Sequence, residues 1–256
     1  MLFRSANVRD ADRNILGIVS DRYKIVQNEE AFSFTDALLG EGVKYETAGS
    51  IANGKIVWLL AKMPHRYIIS GDVIEPYLVF SNTHDGSGAI RVAMTPIRVV
   101  CQNTLNLALR GAQRSWSARH TSNVLNRLDE ARETLQLADK YMNRLGKAID
   151  ELNQKKLSDK KVISMIEELY PVSEDMKEMQ KKNNLKQQET LKACYFDAPD
   201  LQEVGKNGYR FMNAVSDMSY HAKLLRQTRN YKENVFKRTI EGSPILDKTY
   251  QMILTA

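Results

Sequence analysis

The amino-acid sequence predicts an α+β protein, with an antiparallel, β-hairpin-rich sheet domain and packed helix over residues 1–118, followed by a largely α-helical half over residues 119–256. Two observations lead to this prediction. In the first half, apolar and polar residues alternate in short runs separated by turn residues, which is typical of half-buried strands. From Thr104 onward the apolar residues recur at helical spacing instead. We expect the helical half to pack on the sheet, to mediate oligomerisation, or both.

The first strand and helix are predicted near the beginning of the chain. Residues 14–27 alternate between apolar and polar, with a turn at Ser20-Asp21-Arg22. Asn28 is a predicted N-cap of a helix that runs to Leu39, because its side-chain oxygen can accept a hydrogen bond from a free amide of the first turn. Gly40 can end this helix.

Two hairpins complete the predicted sheet. Residues 43–50 and 55–63 read as strands joined by the Asn53-Gly54 turn, which is among the strongest hairpin signals in a sequence. Residues 77–81 and 89–100 form the second strand pair. The first half is therefore expected to be one sheet with the 29–39 helix packed on it.

An apolar stripe predicts a long amphipathic helix in the second half, since its members lie three, four or seven residues apart with charged residues opposite. The members are Leu125, Leu128, Leu135, Ala138, Met142, Leu145, Ile149 and Leu152. Ser158 and Ser173 are predicted N-caps, and Pro171 ends the helix between them. Lys181-Lys182-Asn183-Asn184 is predicted to be a short polar break. Further helical patterns cover residues 174–193, 199–223, 230–240 and the segment after Ser243-Pro244.

Charge, cysteine content and hydropathy limit the functions that fit. The 37 basic and 31 acidic residues give a net charge of +6, which permits binding to a polyanion without requiring it. Cys101 and Cys194 lie far apart and outside any metal-binding spacing, so we expect no disulfide framework, no zinc site and a reducing cytoplasmic location. No run approaches the roughly 18 apolar residues that span a bilayer, and the first residues lack an apolar signal core. We expect no membrane association.

Candidate catalytic groups lie around the turn between the second pair of strands. A structural turn needs only Gly with Asn or Asp, so the additional His84 calls for an explanation. His84 and Asp85 are either a catalytic imidazole oriented by a carboxylate or ordinary turn residues that satisfy the local backbone. Asn103, before Thr104, either caps a helix or contacts a phosphate at a helix N-terminus. Cys101 is either a small buried apolar residue or a nucleophile activated by a nearby base. The sequence contains no phosphate-binding glycine loop, zinc-binding helix or serine elbow, so no enzyme motif is recognised and we expect no metal and no cofactor.

A cluster of basic residues with an interleaved aromatic residue indicates single-stranded nucleic acid as a partner. Cations bind phosphates, and a ring can stack an unpaired base with about 1–3 kcal/mol. The alternative is a solvated loop anchored by Trp116. An odd spacing would place Arg91 and Arg98 on opposite faces of an unbroken strand, although Pro96 favours a break. The candidate nucleic-acid-binding residues are Arg91, Arg98, Arg110, Arg114, Trp116, Arg119 and His120.

A second group of basic residues recurs every three to six positions in the C-terminal part. It is either a basic stripe on a helix or an ordinary solvated face. Its members are Lys223, Arg226, Arg229, Lys232, Lys237 and Arg238.

Several motifs resemble a known family, the phage- and plasmid-encoded proteins grouped as domain of unknown function 932. The resemblance departs at Tyr209–Met218, where that family usually has more aromatic residues and a Thr-Glu-Tyr. The family has no settled activity, so the resemblance implies action in a host cytoplasm and names no reaction. The matching segments are His84-Asp85-Gly86-Ser87, Thr95 to Thr104, Arg119-His120-Thr121, Tyr23 to Phe32, and Asn213-Ala214-Val215 followed by His221.

The leading hypothesis is a phage or plasmid DNA-metabolism protein that binds single-stranded DNA without nucleotide hydrolysis. It would form homo-oligomers through the sheet domain and long helix and assist annealing or recombination, by analogy with the general layout of phage single-strand annealing proteins. One alternative is a protein-interaction module that binds a host factor or defence component through the long apolar stripe. The other is a nucleotide-processing enzyme that uses His84, Asp85 and Asn103.

Overall fold

The computed structural model describes residues 4–39, 42–98, 104–109, 113–221 and 231–256. These residues form two antiparallel sheets and a set of helices, which confirms the predicted α+β class. The strands are β1 Arg4–Val8, β2 Ile15–Ser20, β3 Lys44–Ile51, β4 Ile56–Lys62, β5 Tyr67–Ile69, β6 Asp72–Thr83, β7 Ile90–Arg98 and β8 Ser115–Ala118. The α-helices are α1 Asn28–Leu39, α2 Glu133–Gln154, α3 Asp159–Leu169, α4 Glu178–Phe196, α5 Gly208–Tyr220, α6 Tyr231–Glu241 and α7 Pro244–Leu254. Leu125–Arg132 and Pro199–Leu201 are 3-10 helices.

The main sheet has the strand order β3-β4-β6-β7-β8, with β5 paired to β6, while β1 and β2 form a separate hairpin. The predicted turn between β3 and β4 is confirmed. Ala52, Asn53 and Gly54 have φ values of +52°, +57° and +82°, and Asn and Gly adopt this left-handed region at little cost. Both predicted hairpins are therefore present, and β6 with β7 forms the centre of the sheet.

Strand β7 runs unbroken through Pro96, so the break predicted at this residue is wrong. Pro96 lies directly opposite Pro76 of β6. In an antiparallel ladder, every second pair of facing residues has no backbone hydrogen bonds between its two members. Two prolines can face each other at such a pair, because the N–H groups that they lack would not have bonded to the facing strand. The carbonyl of Pro76 accepts from Met63 N at 3.0 Å, and that of Pro96 accepts from Leu105 N at 3.1 Å.

Strand β8 lies where the sequence indicated a basic loop. Its residues pair with the first half of β7, with Ser117 opposite Arg91 and Trp116 opposite Val92. The short Ser-Trp-Ser-Ala segment therefore forms an outer strand of the sheet. Strands β1 and β5 were not predicted either.

The hydrophobic core lies on the face of the sheet that carries Leu78, Phe80 and Val92, and it includes residues from helices α1 to α5 and α7. The predicted apolar stripe is confirmed within α2 from Ala138 onward, where its members are buried. Leu125 is 38% exposed in the preceding 3-10 helix, so its predicted place in the stripe of the long α-helix is wrong. The buried stripe members are Ala138, Met142, Leu145, Ile149 and Leu152.

Helix α6 covers part of the opposite face of the sheet, where Ile240 is buried with Val79 and Ala93. Arg114 holds the end of this helix. Its guanidinium donates to the carbonyls of Ile240 at 2.8 Å and Thr239 at 3.2 Å, and also to Met94 O of β7. A cation at a helix C-terminus satisfies carbonyls that have no partner within the helix. Arg114 therefore attaches α6 to the sheet.

Local helix signals were predicted with mixed success. Ser158 is confirmed as an N-cap, because its Oγ accepts from Lys161 N at 3.2 Å. Ser173 is not an N-cap, since its carbonyl accepts from Met176 N in a turn and α4 begins only at Glu178. The polar run at 181–184 lies inside α4, so the predicted break is wrong. None of the described helices has both the length and the apolar character that a membrane crossing requires.

Arg98 joins the end of β7 to the helical half. Its Nε donates to Asp72 Oδ2 at 2.8 Å, and its Nη1 donates to Asp200 Oδ2 at 2.9 Å in the second 3-10 helix. The side chain is only 3% exposed. Removing one partner of a buried ion pair leaves the other charges without compensation.

We expect Arg98→Ala to lower the free energy of unfolding by about 3–5 kcal/mol, measured by urea denaturation, because Asp72 and Asp200 would lose their cation. The matched control is Lys206→Ala, which breaks an exposed ion pair with Asp159 and should cost less than about 1 kcal/mol. Equal losses in the two variants would contradict a structural role for Arg98.

Candidate functional site

The turn between β6 and β7 is held by its own side chains. Asp85 Oδ1 accepts from Ser87 N at 2.9 Å and from Ser87 Oγ at 2.6 Å, while Gly86 has a φ of +79°. Thr83 Oγ1 donates to Ala89 O at 3.0 Å across the base of the turn. Asp85 therefore acts as the local acceptor that shapes the turn.

The β1–β2 hairpin holds the same turn from outside. Asn7 Nδ2 donates to His84 O at 2.8 Å in a buried bond. A Cβ atom on Gly17 would lie 2.5 Å from Asp85 Cα, so only glycine allows the backbone of β2 to approach this closely. Tyr23, which follows β2, donates its hydroxyl to Thr83 O at 2.8 Å. The turn and the segment after β2 therefore have a fixed relative position.

His84 belongs to a buried polar network with α1. Asn28 Oδ1 lies 2.9 Å from His84 Nε2 and accepts from Asn82 Nδ2 at 3.1 Å, which assigns the His84 proton to Nε2. The prediction that Asn28 caps its helix is wrong, because its oxygen bonds to these groups of β6 and the following turn. At the helix start, Gln27 N instead donates to Glu30 Oε2 at 2.9 Å.

A cleft of about 430 Å³ opens beside the turn. Three arginines from separate parts of the chain line it: Arg22 after β2, Arg91 on β7 and Arg119 after β8. The rings of Tyr23 and His120 also line it, stacked with their centroids 4.7 Å apart and their planes 15° apart. Within the part of the chain that the structure describes, no carboxylate lines this cleft. We call it the arginine cleft.

A second cavity of about 240 Å³ continues from the arginine cleft toward α6. The two share Arg91 and the residues 87–89 of the turn. Phe236, Lys237 and Glu241 of α6 line the far side. Arg91 forms an ion pair with Glu241, which also lies 3.7 Å from Lys237 Nζ. The arginine cleft and this cavity therefore adjoin at Arg91, and we call the two together the groove.

Burial sets the protonation of the two histidines. Burial lowers the pKa of His84, although the negative charge of Asp85 acts to raise it. Burial also lowers the pKa of His120, although the hydrogen bond to the Lys24 carbonyl acts to raise it. His120 Nδ1 lies 3.2 Å from Lys24 O and donates to it. Burial also raises the pKa of Tyr23 to about 12. At neutral pH both imidazoles and the phenol are uncharged, so the arginines supply the cleft's positive charge.

The structure brings together three of the predicted nucleic-acid-binding residues: Arg91, Arg119 and His120 line the arginine cleft. Sequence reasoning did not select Arg22 and Tyr23, which lie far from these residues along the chain. Tyr23 opens one of the family-like segments, which is the one signal that could have indicated it.

Three other predicted residues do not line the arginine cleft. Arg98 and Arg114 are buried, with their guanidinium groups bonded to carboxylates or carbonyls. Trp116 shares a sheet face with Val92, opposite to that of Arg91, and its Nε1 donates to Glu130 at 3.3 Å.

The remaining sequence candidates contribute unequally to the groove. Lys237 lines it, while Arg238 lies 5.7 Å from the centroid of Tyr220. Several others fall outside the described residues, namely Asn103, Cys101, Arg110, Lys223, Arg226 and Arg229, together with Gly40 from the predicted helix end.

The described side chains with metal-ligating or nucleophilic chemistry have the following environments. Among the described residues, no group of three His, Cys, Asp or Glu side chains could hold a metal ion. Burial raises the pKa of Cys194 to about 12, so this thiol is protonated at neutral pH. His84 and Asp85 use polar atoms to bind Asn28 and Ser87.

The fold and the groove define an α+β protein that presents clustered arginines beside a rigid hairpin turn. The chain belongs to the family described as domain of unknown function (DUF932), whose model matches residues 15–239. The match includes the turn and every lining residue of the arginine cleft. No curated protein and no solved structure matches the chain.

The buried histidines predict that acid destabilises the fold. Their folded pKa values lie below the ordinary value of 6.5, so the unfolded chain binds more protons as the pH falls through that value. The stability associated with the neutral imidazoles is present above that pH and is lost below it. Urea denaturation from about pH 7.5 to about pH 5.5 should show the loss.

His120→Asn should reduce this pH dependence, since an amide keeps a donor for Lys24 O and does not titrate. His65→Asn is the control, because it makes the same substitution at an exposed position. An unchanged profile in His120→Asn would contradict the assigned neutral state.

Proposed function

We propose that this protein binds single-stranded DNA in the groove, without nucleotide hydrolysis. The observation that supports the proposal is the convergence of Arg22, Arg91 and Arg119 on one cleft with no described carboxylate in its lining. A guanidinium group is planar, remains charged and matches the geometry of a phosphate. Three of them at one place provide sites for a phosphodiester backbone.

The arginines stand on a rigid frame, which favours a ligand with regularly spaced charges. Arg91 lies on a central strand, and Arg22 follows a hairpin whose Gly17 packs against the Asp85 backbone. Arg119 directly follows β8, which pairs with β7. Binding to groups held in position costs less conformational entropy than binding to mobile side chains.

Aromatic and cationic residues recur along the groove. Tyr23 and His120 lie at one end among the arginines, and Phe236 lies beside Lys237 at the other. Proteins that bind single strands combine a positive groove with rings that contact bases. The cleft volume lies within the range of about 300–1,000 Å³ that is usual for small-ligand sites, which suits one nucleotide of a longer strand. Annealing or recombination by a homo-oligomer stays a prediction from the sequence.

The structure gives less support to the alternative functions. The protein-interaction hypothesis uses the long apolar stripe, and the stripe members from Ala138 to Leu152 are buried in the core of the chain itself. The enzyme hypothesis uses His84 and Asp85, which hold the turn together and bond to Asn28 and Ser87. The groove is therefore the feature on which we base the function.

Replacing Arg22, Arg91 and Arg119 together with alanine should weaken binding to a single-stranded oligonucleotide at least tenfold, measured by fluorescence anisotropy. Loss of three phosphate contacts should also reduce the slope of log affinity against log salt by about 2. The control variant replaces Lys160, Lys182 and Lys186, which are exposed on α3 and α4, and removes the same charge. Equal effects of both variants would show that net charge alone, and not the groove, determines binding.

Glu241→Gln should strengthen binding by about twofold to fivefold, because it frees Arg91 from an exposed ion pair and removes a negative charge from the groove. Glu178→Gln, on the exposed surface of α4, makes the same charge change away from the groove and should have little effect. Weaker binding of Glu241→Gln would mean that Arg91 needs this carboxylate for its position.

A further inference from the structure

Arg22 and Arg119 lie on two segments that a reciprocal pair of hydrogen bonds joins directly. Lys24 N donates to the His120 carbonyl at 3.0 Å, and His120 Nδ1 donates to Lys24 O at 3.2 Å. Arg22 lies shortly before Lys24 in the chain, and Arg119 lies directly before His120. The two arginines therefore extend from backbones that are held together, and both line the arginine cleft.

The charges of these two arginines are not used within the described protein. Both side chains are exposed, and neither has an ion-pair partner among the residues that the structure describes. Arg91 differs from them, because it pairs with Glu241 on the side of the second cavity. The cleft thus holds two uncompensated positive charges, at Arg22 and Arg119, and a third that a carboxylate partly compensates.

Apart from the stacked rings, the other walls of the arginine cleft consist of small or hydroxyl-bearing residues. They are Ser20, Thr121 and residues 86–89 of the turn. Small residues let a compact group approach the guanidinium groups closely, and hydroxyl groups can donate further hydrogen bonds. This lining suits a compact anion that accepts several hydrogen bonds.

The positive charge is concentrated at one end of the groove. In the second cavity, Lys237 and Glu241 carry opposite charges, and its other described lining residues are uncharged except for the shared Arg91. A groove that follows a nucleic-acid backbone has cations along its length, whereas here they lie together in the cleft. A strand whose charge is greatest at its end fits this distribution better than an internal segment with evenly spaced charges.

We propose that the arginine cleft binds the terminal phosphate group of a single strand, which is a phosphate monoester. This inference rests on the proposed DNA-binding function and names the part of the strand that the cleft holds. An internal phosphodiester carries one negative charge, whereas a phosphate monoester carries about −1.5 to −2 at neutral pH and has three acceptor oxygens. Its charge matches Arg22 and Arg119 together, and Arg91 contacts the next phosphodiester toward the second cavity.

The test compares oligonucleotides of one sequence that carry a fluorophore on a central base and differ only at their ends. The ends are hydroxyl groups, a 5′-phosphate, a 3′-phosphate, or a 5′-phosphate capped as its methyl diester. Fluorescence anisotropy should show that at least one monoester raises the affinity about tenfold over the hydroxyl-ended strand, as expected for added charge-assisted hydrogen bonds. The methyl diester places a single charge at the same position and should raise the affinity less than about threefold.

Replacing Arg22 and Arg119 together with alanine should abolish the preference for the phosphate-ended strand, because both uncompensated cations are removed. Since both side chains are exposed, the fold should be retained. The matched control replaces Lys182 and Lys186 with alanine, which removes the same charge from the exposed surface of α4 and should leave the preference unchanged.

The outcomes separate this inference from the proposed function. The monoester that binds more tightly identifies which end of the strand the cleft accepts. Equal affinity for hydroxyl-ended and phosphate-ended strands overturns the inference and leaves DNA binding intact. Equal affinity for the monoester and its methyl diester, or a preference that persists in the double arginine variant, also overturns it. Binding of no strand at low salt overturns the proposed function itself.

Discussion

The close approach of Gly17 to Asp85 is the contact on which the groove depends. It allows the separate β1–β2 hairpin to lie against the turn of the main sheet, with Asn7 bonded to His84 O. Arg22 follows β2 and reaches Arg91 and Arg119 only because the hairpin is held there. The buried polar network around Asn28 supports the other side of the same turn. A side chain at position 17 would separate these elements and disperse the arginines.

Burial divides the arginines into two functional kinds that look alike in a sequence. Arg98, Arg114 and Arg210 are buried, and their N–H groups satisfy carboxylates or the carbonyl groups of other segments. A planar group with five donors is suited to such junctions. Arg22 and Arg119 are exposed and line the cleft. The first kind stabilises the fold and the second kind is available to a ligand.

Much of the fold could be predicted because its signals are local. The Asn53-Gly54 turn and the apolar spacing in α2 depend on residues that are neighbours along the chain. Failures occurred where tertiary contacts decide the outcome. Asn28 has the chemistry of an N-cap, yet donors from β6 and the turn occupy its oxygen. The candidate site was half predictable for the same reason, since Arg91 and Arg119 lie in one segment while Arg22 joins them only through the hairpin contact.

The reciprocal bonds between Lys24 and His120 have a consequence for the order of folding. They connect residues 96 positions apart, and such a loop must close before its contacts contribute any stability. Assembly of the arginine cleft therefore requires β2, β7 and β8 to be in place. During synthesis, a nascent chain would acquire this cleft only after the segment following β8 had left the ribosome, so partly made protein has no assembled cleft.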